Sequence, residues 1–178
     1  MLQRGSMLFA ALPAVLPVVL APTLIAAAAP VSDFARKEGF AVQQIITADA
    51  AQLLRDWQAP DRATQSPTIE RIGREQVVDS FIVFTGCKGD AIHRCNVTVD
   101  FTLIGPAGQI FAEHSNAVVA VGKAPPGGGA LQLSEESLGI FIEPDDPAGD
   151  YVVRAVVTDH VAGIILSTER KLTVVEAP

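Results

Sequence analysis

The sequence predicts an all-β fold, an antiparallel β-sandwich of about seven short strands with one short helix near its N-terminus. From Thr68 onward, apolar and polar residues alternate with a period of two, as they do in strands that bury one face. Turn-forming residues separate these segments about every 8–12 residues, which is typical of sandwiches. Helical segments do not alternate with the strands, so a parallel sheet built from βαβ units is not expected.

The first 28 residues predict a secretory signal peptide. Arg4 precedes a long apolar run, and 20 of these 28 residues are apolar. The run ends in three alanines, which fit the small-residue site of signal peptidase and predict cleavage after Ala28. The alternative is an uncleaved anchor, since the run is long enough to span a bilayer. Three prolines that interrupt the run argue against it: Pro13, Pro17 and Pro22.

Composition and charge limit the classes of partner. The whole chain is 49% hydrophobic, with a mean hydropathy of +0.33 and a net charge of −7. Without the predicted signal peptide, 12 basic and 20 acidic residues remain, which gives a net charge of −8 over a length that suits one domain. Nucleic acids and anionic lipids bind clustered basic side chains, so we expect no nucleic-acid partner and no membrane insertion after cleavage.

Residues 29–66 are predicted to form an N-terminal segment that packs on a sandwich made of residues 67–178. Within it, residues 31–39 are polar and predict a leader, whereas residues 40–47 are apolar and β-branched enough for a strand. Thr47 could cap the short helix that follows. One face of that helix carries four apolar residues at helical spacing: Ala50, Leu53, Leu54 and Trp57.

The sandwich strands are predicted from apolar runs and from alternation. Residues 77–85 form a strongly apolar run that predicts a central strand, and residues 97–103 alternate most clearly. The other predicted strands are residues 109–113, 117–121, 131–133, 138–142, 151–158 and 164–175. Residues 122–130, rich in Gly and Pro, predict a long loop.

A corner precedes the penultimate predicted strand. Residues 143–151 read Glu-Pro-Asp-Asp-Pro-Ala-Gly-Asp-Tyr and lead directly into alternating residues. In immunoglobulin-like sandwiches, a Tyr at this place commonly hydrogen-bonds back across the corner. Gly149 and Tyr151 are therefore predicted to form a structural corner, and they narrow the fold class to an immunoglobulin-like sandwich.

The two cysteines, Cys87 and Cys95, are close in sequence. In an exported protein such a pair normally forms a disulfide, which we expect to hold the mouth of a hairpin. The spacing is not C-x-x-C, so a thioredoxin-like redox role is disfavoured. With His93 between them, the cysteines could supply three zinc ligands, but no second pair follows at metal spacing.

Several stretches together resemble a group of exported bacterial proteins of uncharacterised activity. The resemblance rests on residues 85–90 (TGCKGD), 95–101 (CNVTVDF), 106–108 (PAG), 131–134 (LQLS) and 142–160 (IEPDDPAGDYVVRAVVTDH), and it extends over residues 40–175. It implies a periplasmic or secreted location and an immunoglobulin-like sandwich with one short-loop disulfide. It implies no activity.

Catalytic signals are weak in this sequence. The nucleophile elbow G-x-S-x-G is absent, and the two cysteines are expected to bond to each other. Asp159 and His160 could form an oriented base or a metal site. The favoured alternative is a solvated turn in which Asp159 caps its own backbone. A local acidic group could bind Ca²⁺ but lacks the spacing of a calcium loop: Glu143, Asp145, Asp146 and Asp150. No cofactor and no metal are expected.

Trp57 is the one candidate for a stacking site, because the Phe residues lie mainly in the apolar phases of predicted strands. The favoured alternative for Trp57 is to dock its helix on the sandwich, since it shares a face with Leu53. Trp57, Asp159 and His160 are kept as candidate ligand contacts.

Two functions remain open. The favoured one is a non-catalytic binding or accessory module whose partner is an envelope protein, or a peptide added to a free sheet edge. The alternative is a metal-dependent or hydrolytic enzyme that uses His160, Asp159 and His93.

Overall fold

The computed structural model describes residues 32–59 and 68–176, so the predicted signal peptide and its cleavage site lie outside the described residues. The described part contains ten strands, one α-helix and one 3-10 turn at Gly127–Gly129. In chain order the elements are β1 (Phe34–Lys37), β2 (Phe40–Thr47), α1 (Ala50–Gln58), β3 (Arg71–Gly73), β4 (Val77–Thr85), β5 (Asn96–Ile104), β6 (Ile110–Val121), β7 (Gln132–Leu133), β8 (Leu138–Phe141), β9 (Gly149–Asp159) and β10 (Ile164–Val175).

The strands form two sheets that enclose one core, so the fold is an all-β sandwich. The first sheet has the order β1-β2-β4-β7, with β8 also paired to β4, and the second has the order β3-β10-β9-β5-β6. The core contains inward-facing residues of both sheets, among them Phe84 of β4 and Phe101 of β5. Two expectations need correction. The short strands raise the count above seven, and β3 runs parallel to β10, so the sandwich is not wholly antiparallel.

Strand β4 is central, as its apolar run predicted. It pairs with β2 along one edge and with β7 and β8 along the other. Ile82 and Phe84 face the main core, while Phe81 and Val83 lie on the outer face in a second apolar cluster. Burial of both faces explains why this strand shows a continuous apolar run rather than alternation.

Helix α1 covers that outer cluster. Its N-cap is Asp49, whose side chain accepts a hydrogen bond from the Gln52 N–H at 2.8 Å, and not Thr47 as predicted. Leu53 is buried in the cluster, and Trp57 packs against it. Leu54 is 43% exposed, so only part of the predicted apolar face is used.

The N-terminal segment is part of the sandwich rather than a layer on it. Residues 34–37, predicted as a polar leader, form β1 and pair with β2. Strand β2 in turn pairs with β4 over residues 41–47. The expected boundary between residues 66 and 67 lies outside the described residues, and the segment before it supplies two strands of the first sheet. Exposure explains the misassignment of β1, since an edge strand on the surface tolerates polar residues.

Strand β6 runs continuously from Ile110 to Val121, where two separate segments were predicted. Its pairing with β5 contains register shifts, and Asn116 has a left-handed backbone with φ 57°. The Asp100 carboxylate accepts a hydrogen bond from the Asn116 N–H at 2.7 Å. This bond holds the exposed polar middle of the strand in the sheet. Because the residues there are polar, the alternation of apolar and polar residues does not show that the strand is continuous.

Tyr151 lies at the predicted corner, at the start of β9. Its ring is fully buried, and its hydroxyl donates a hydrogen bond to the Pro147 carbonyl at 2.8 Å. Phe111 packs edge-on against the ring, with 5.1 Å between centroids. Gly149 has φ 135°, and a Cβ there would lie 3.1 Å from the Pro106 side chain. Burial raises the pKa of the Tyr151 hydroxyl, which favours the protonated form that the hydrogen bond requires.

We predict that Tyr151→Phe lowers the free energy of unfolding by about 1 kcal/mol. The substitution removes one buried hydrogen bond, leaves the Pro147 carbonyl without its donor and keeps the ring packing intact. Urea denaturation of the two proteins measures this difference. An unchanged denaturation midpoint would show that the hydroxyl does not stabilise the corner.

No helix within residues 32–59 and 68–176 is long and apolar enough to cross a membrane.

Candidate functional site

Four connections meet at one end of the sandwich, which we call the disulfide end. They are the β1–β2 turn, residues 86–95 between β4 and β5, residues 122–131 between β6 and β7, and the β9–β10 turn at residues 160–163. Backbone hydrogen bonds join them, from the Cys95 N–H to the Lys123 carbonyl at 2.7 Å and from the His160 N–H to the Asn96 carbonyl at 2.9 Å. The disulfide end is thus one connected surface.

Gly86 brings the β1–β2 turn against the loop that contains the disulfide. Its φ is 74°, and a Cβ there would lie 2.1 Å from the Gly39 carbonyl oxygen. No other residue fits so close to a neighbouring backbone.

Cys87 and Cys95 form the predicted disulfide, with 5.9 Å between their Cα atoms. The predicted position at a hairpin mouth is wrong, because β4 lies in the first sheet and β5 in the second. The disulfide therefore closes the connection that crosses from one sheet to the other. A hairpin loop and a short crossover have the same length in sequence, so the cysteine spacing could not distinguish them.

The loop between the cysteines is held by Asp90. Its carboxylate accepts hydrogen bonds from the Ile92 and Arg94 N–H groups, both at 2.9 Å, and its own N–H donates to the Arg94 carbonyl at 2.9 Å. His93 has φ 58°, a left-handed conformation that this tight turn requires. Ile92 lies at the tip with 70% of its surface exposed.

Asp159 is fully buried at the end of β9 and holds two of the connections together. Its carboxylate accepts from the Val161 and Ala162 N–H groups, both at 3.0 Å, and from the Lys88 N–H at 2.8 Å. The first two bonds are the backbone capping that the sequence favoured, but the expectation of a solvated carboxylate is wrong, because the cross-loop contact buries it. The third joins the β9–β10 turn to the disulfide loop, 71 residues away, which local sequence could not show.

The residues of the enzyme hypothesis bond to separate partners. The Nε2 atom of His160 lies 2.9 Å from the Thr98 hydroxyl, while the Asp159 carboxylate bonds to backbone N–H groups. His93 lies in the tight turn of the disulfide loop. In the part of the chain that the structure describes, no three His, Cys, Asp or Glu side chains are placed to hold a metal ion.

The acidic residues 143–150 lie at the opposite end of the sandwich. The Asp146 carboxylate accepts from the Glu143 N–H at 2.8 Å and so stabilises the turn before β9. Asp150 forms an ion pair with Lys171 at 2.6 Å and accepts from the Thr173 hydroxyl at 2.8 Å. These hydrogen bonds, with Lys171 the larger contributor, lower the pKa of Asp150 below its ordinary value.

We predict that Lys171→Met raises the pKa of Asp150 towards its ordinary value of 3.8. The folded-state pKa is depressed, so the ion pair stabilises the fold above the ordinary pKa. That stabilisation is lost as pH falls through the folded-state pKa. An NMR titration of the side-chain carboxyl carbon measures the pKa in both proteins. An unchanged pKa in the variant would contradict this assignment.

A second polar site, on the sandwich edge where β10 faces β2, was missed by the sequence analysis. Gln44 is fully buried between the sheets, and its side chain bonds to Ser80 at 3.0 Å and to Thr168 at 3.1 Å. The Arg170 guanidinium donates to the Gln44 carbonyl at 3.2 Å and forms an ion pair with Asp33. The sequence did contain a signal for this site. Gln44, Thr168 and Arg170 occupy inward positions of strands whose other inward positions are apolar.

Arg170 also reaches a surface depression of about 420 Å³. Its lining is mostly charged and consists chiefly of Asp33, Glu70, Arg71, Glu169, Arg170 and Lys171. The charged lining is suited to a polar ligand.

Comparison with known proteins gives limited information. No protein-family model matches the chain, and no curated protein is significantly similar in sequence. A Niemann-Pick type C2 protein from Japanese carpenter ant is 12% identical, with a TM-score of 0.41 over 82% of this chain and 94% of that one. A family 123 glycoside hydrolase from Clostridium perfringens is 14% identical, with a TM-score of 0.37 over 76% of this chain and 28% of that one. Both scores are too low to carry an argument about function, so the candidate sites are judged on their own chemistry.

Proposed function

We propose that this chain is an exported, non-catalytic binding module that presents its disulfide end to an envelope protein. The observation that carries the proposal is Ile92, a large apolar side chain that is 70% exposed on a loop with a fixed backbone. The disulfide and the Asp90 carboxylate fix that loop before any partner binds. Binding then costs little conformational entropy, which favours affinity.

Two basic residues share the loop of Ile92 in a chain whose overall charge is acidic. They are Lys88 and Arg94, both exposed, whereas the one acidic residue between the cysteines, Asp90, accepts hydrogen bonds from the loop backbone. Lys123 of the neighbouring connection is paired with Glu135 at 3.1 Å. A partner with an acidic surface around an apolar pocket would match this arrangement, and the opposite charges would steer the two proteins together. We therefore propose an acidic partner surface.

The contacts of Asp159 support the proposal of a non-catalytic role. This carboxylate, the one acidic group of the enzyme hypothesis, accepts three backbone hydrogen bonds and is fully buried. Those bonds occupy both carboxylate oxygens, and burial keeps the group away from a substrate at the surface. The enzyme hypothesis thus lacks a supporting contact among the described residues.

The loops support binding of a protein partner better than the two outer strands of the second sheet, β3 and β6, do. Along the C-terminal half of β6, Glu135 and Glu136 donate backbone hydrogen bonds to the Val119 and Val118 carbonyls at 3.3 and 3.0 Å. The rest of β6 has an irregular register, and β3 is only three residues long. Occupied, irregular and short edges are poor templates for adding a peptide strand.

Export and the finer fold assignment are parts of the same proposal. The apolar N-terminus and the alanines before Ala28 support secretion, and a disulfide is stable in an oxidising compartment such as the periplasm. The hydrogen bond from Tyr151 to Pro147 supports the immunoglobulin-like assignment. Mass spectrometry of the secreted protein is expected to show a mature chain that starts at Ala29.

Site-specific photo-crosslinking in the native host tests the binding face. A photoreactive residue at position 92 is expected to form one discrete protein adduct. The same residue at position 110 is the matched control, because Ile110 is also exposed, at 61%, but lies at the opposite end. Asp90→Ala, which releases the loop, should reduce the adduct several-fold, whereas Asp145→Ala at the far corner should not. Equal adducts from positions 92 and 110, or none from position 92, would overturn the proposal.

A further inference from the structure

We propose that the depression beside β10 is a binding site for short peptides with free termini. The site is far from the charged loops of the disulfide end and does not depend on the function proposed for them. Its main feature is an interruption in the backbone pairing along the edge of β10, which we call the edge window. It is bounded by Ser32 on one side and Glu70 on the other.

Within the edge window, Lys171 of β10 has no strand partner on the side that faces away from β9. The Glu169 N–H donates to the Ser32 carbonyl and the Thr173 N–H to the Glu70 carbonyl, both at 2.8 Å. Lys171, between them, points its backbone N–H and C=O the same way, because alternate residues of a strand face the same neighbour. The pairing of the described residues supplies no partner for either group. They are available to an extended ligand.

Both boundaries of the window are segments that cross from one sheet to the other. After Ser32, the Asp33 carbonyl accepts from the Gln44 N–H of the first sheet at 2.7 Å. Before Glu70, the Ile69 N–H donates to the Ile46 carbonyl of the first sheet at 3.0 Å. The segment before Glu70 cannot extend along β10 without breaking its bond to Ile46, and the chain after Ser32 leaves β10 for the first sheet.

Charged side chains are distributed unevenly along the window. Asp33 and Glu169 lie towards the Ser32 side, whereas Arg71 and Lys171 lie towards the Glu70 side, where the Glu70 carboxylate is paired with Arg170 at 3.7 Å. Arg170, whose side chain is only 10% exposed, forms the floor between them and is held by Asp33 and Glu70. An ammonium group is favoured at the first side and a carboxylate at the second.

Arg71 is the group best suited to bind the carboxylate. Lys171 is paired with Asp150, and Glu169 with Arg154 at 2.6 Å, whereas Arg71 is exposed and forms no ion pair with any described residue. A guanidinium binds a carboxylate with two parallel hydrogen bonds. Arg71 therefore has no ion pair to break before it binds a ligand, although the Asp150 carboxylate lies near enough to interact with it electrostatically.

A tripeptide fits these features. The five residues from Glu169 to Thr173 cover four steps of extended strand, about 13 Å, and an extended tripeptide spans about 10 Å. Its amino terminus would lie near Asp33 and Glu169, its carboxylate near Arg71, and its central residue would pair with the Lys171 backbone. The recognised chemistry is that of the peptide backbone and its two charged ends.

An NMR titration of the ¹⁵N-labelled mature protein with trialanine tests this inference. We expect a saturable shift of the Lys171 amide at millimolar peptide. Trialanine amide and N-acetyl-trialanine, which each lack one terminal charge, should bind at least fivefold more weakly. Arg71→Gln should weaken trialanine binding to a similar extent. Arg55→Gln, which changes an exposed arginine on α1, is the matched control and should leave binding unchanged.

Three results would overturn the inference. The first is the absence of a saturable Lys171 shift at about 10 mM trialanine, ten times the concentration that half-saturates a weak complex with a Kd of about 1 mM. The second is equal binding of the capped and free peptides. The third is equal loss of binding in the Arg71 and Arg55 variants.

Discussion

Asp159→Ala is expected to lower the free energy of unfolding by about 2–4 kcal/mol. The substitution leaves the N–H groups of Lys88, Val161 and Ala162 without their acceptor, and each partly buried donor that stays unpaired costs about 1–3 kcal/mol unless water reaches it. Urea denaturation measures the loss. A destabilisation below about 0.5 kcal/mol, the usual effect of a surface substitution, would contradict the structural role of this carboxylate.

Asp159→Asn is the matched control for that prediction. An asparagine keeps one oxygen for the Val161 and Ala162 N–H groups but turns an NH₂ group, which is a donor, towards the Lys88 N–H. Its loss of stability should be smaller than that of alanine and should be confined to the contact with the disulfide loop. Hydrogen exchange of the Lys88 amide, compared between the two variants, separates loss of the contact to the disulfide loop from loss of the contacts to the Val161 and Ala162 N–H groups.

Removal of the disulfide by Cys87→Ala with Cys95→Ala is expected to cost about 2–3 kcal/mol. Loop closure at this short separation predicts that magnitude in the chain-entropy model. Both cysteines are buried, and alanine removes a sulfur atom at each position, so lost packing adds to the effect. Denaturation of the oxidised protein and of the double variant gives the difference. Equal midpoints would mean that the loop is held without its disulfide.

These two sets of substitutions should not be additive. The disulfide and the contact from Asp159 to the Lys88 N–H hold the same loop, so removal of one leaves the other less to restrain. In a double-mutant cycle, we expect the combined loss to differ from the sum of the separate losses by at least 0.5 kcal/mol. An additive cycle would show that the two restraints act on independent parts of the chain.

Strand alternation made most of the second sheet predictable. In β5, β9 and β10 the inward residues are buried and the outward ones are more exposed, so sequence period and structure agree. The burial of β4 on both faces was equally visible as an apolar run. Where polar residues lie on an exposed edge, as in β1 and the middle of β6, the period disappears and the prediction was wrong or incomplete.

The candidate sites were less predictable because they depend on contacts distant in sequence. The sequence identified Cys87, Cys95 and the capping role of Asp159, all of which involve neighbours within a few residues. It did not show the bond between Asp159 and Lys88, or that the disulfide joins two sheets. The edge window depends on Arg170, whose partners Asp33 and Gln44 are more than 120 residues away.

The fixed backbone of the disulfide loop is central to the proposed function, and ¹⁵N relaxation of the mature protein measures it directly. We predict order parameters near 0.85 for residues 88–94, equal to those of β5 and β9, because a disulfide and two carboxylates restrain the loop. Asp90→Ala should lower these values while leaving the strands unchanged. Order parameters below about 0.6 in the unaltered protein would contradict a loop organised before its partner binds.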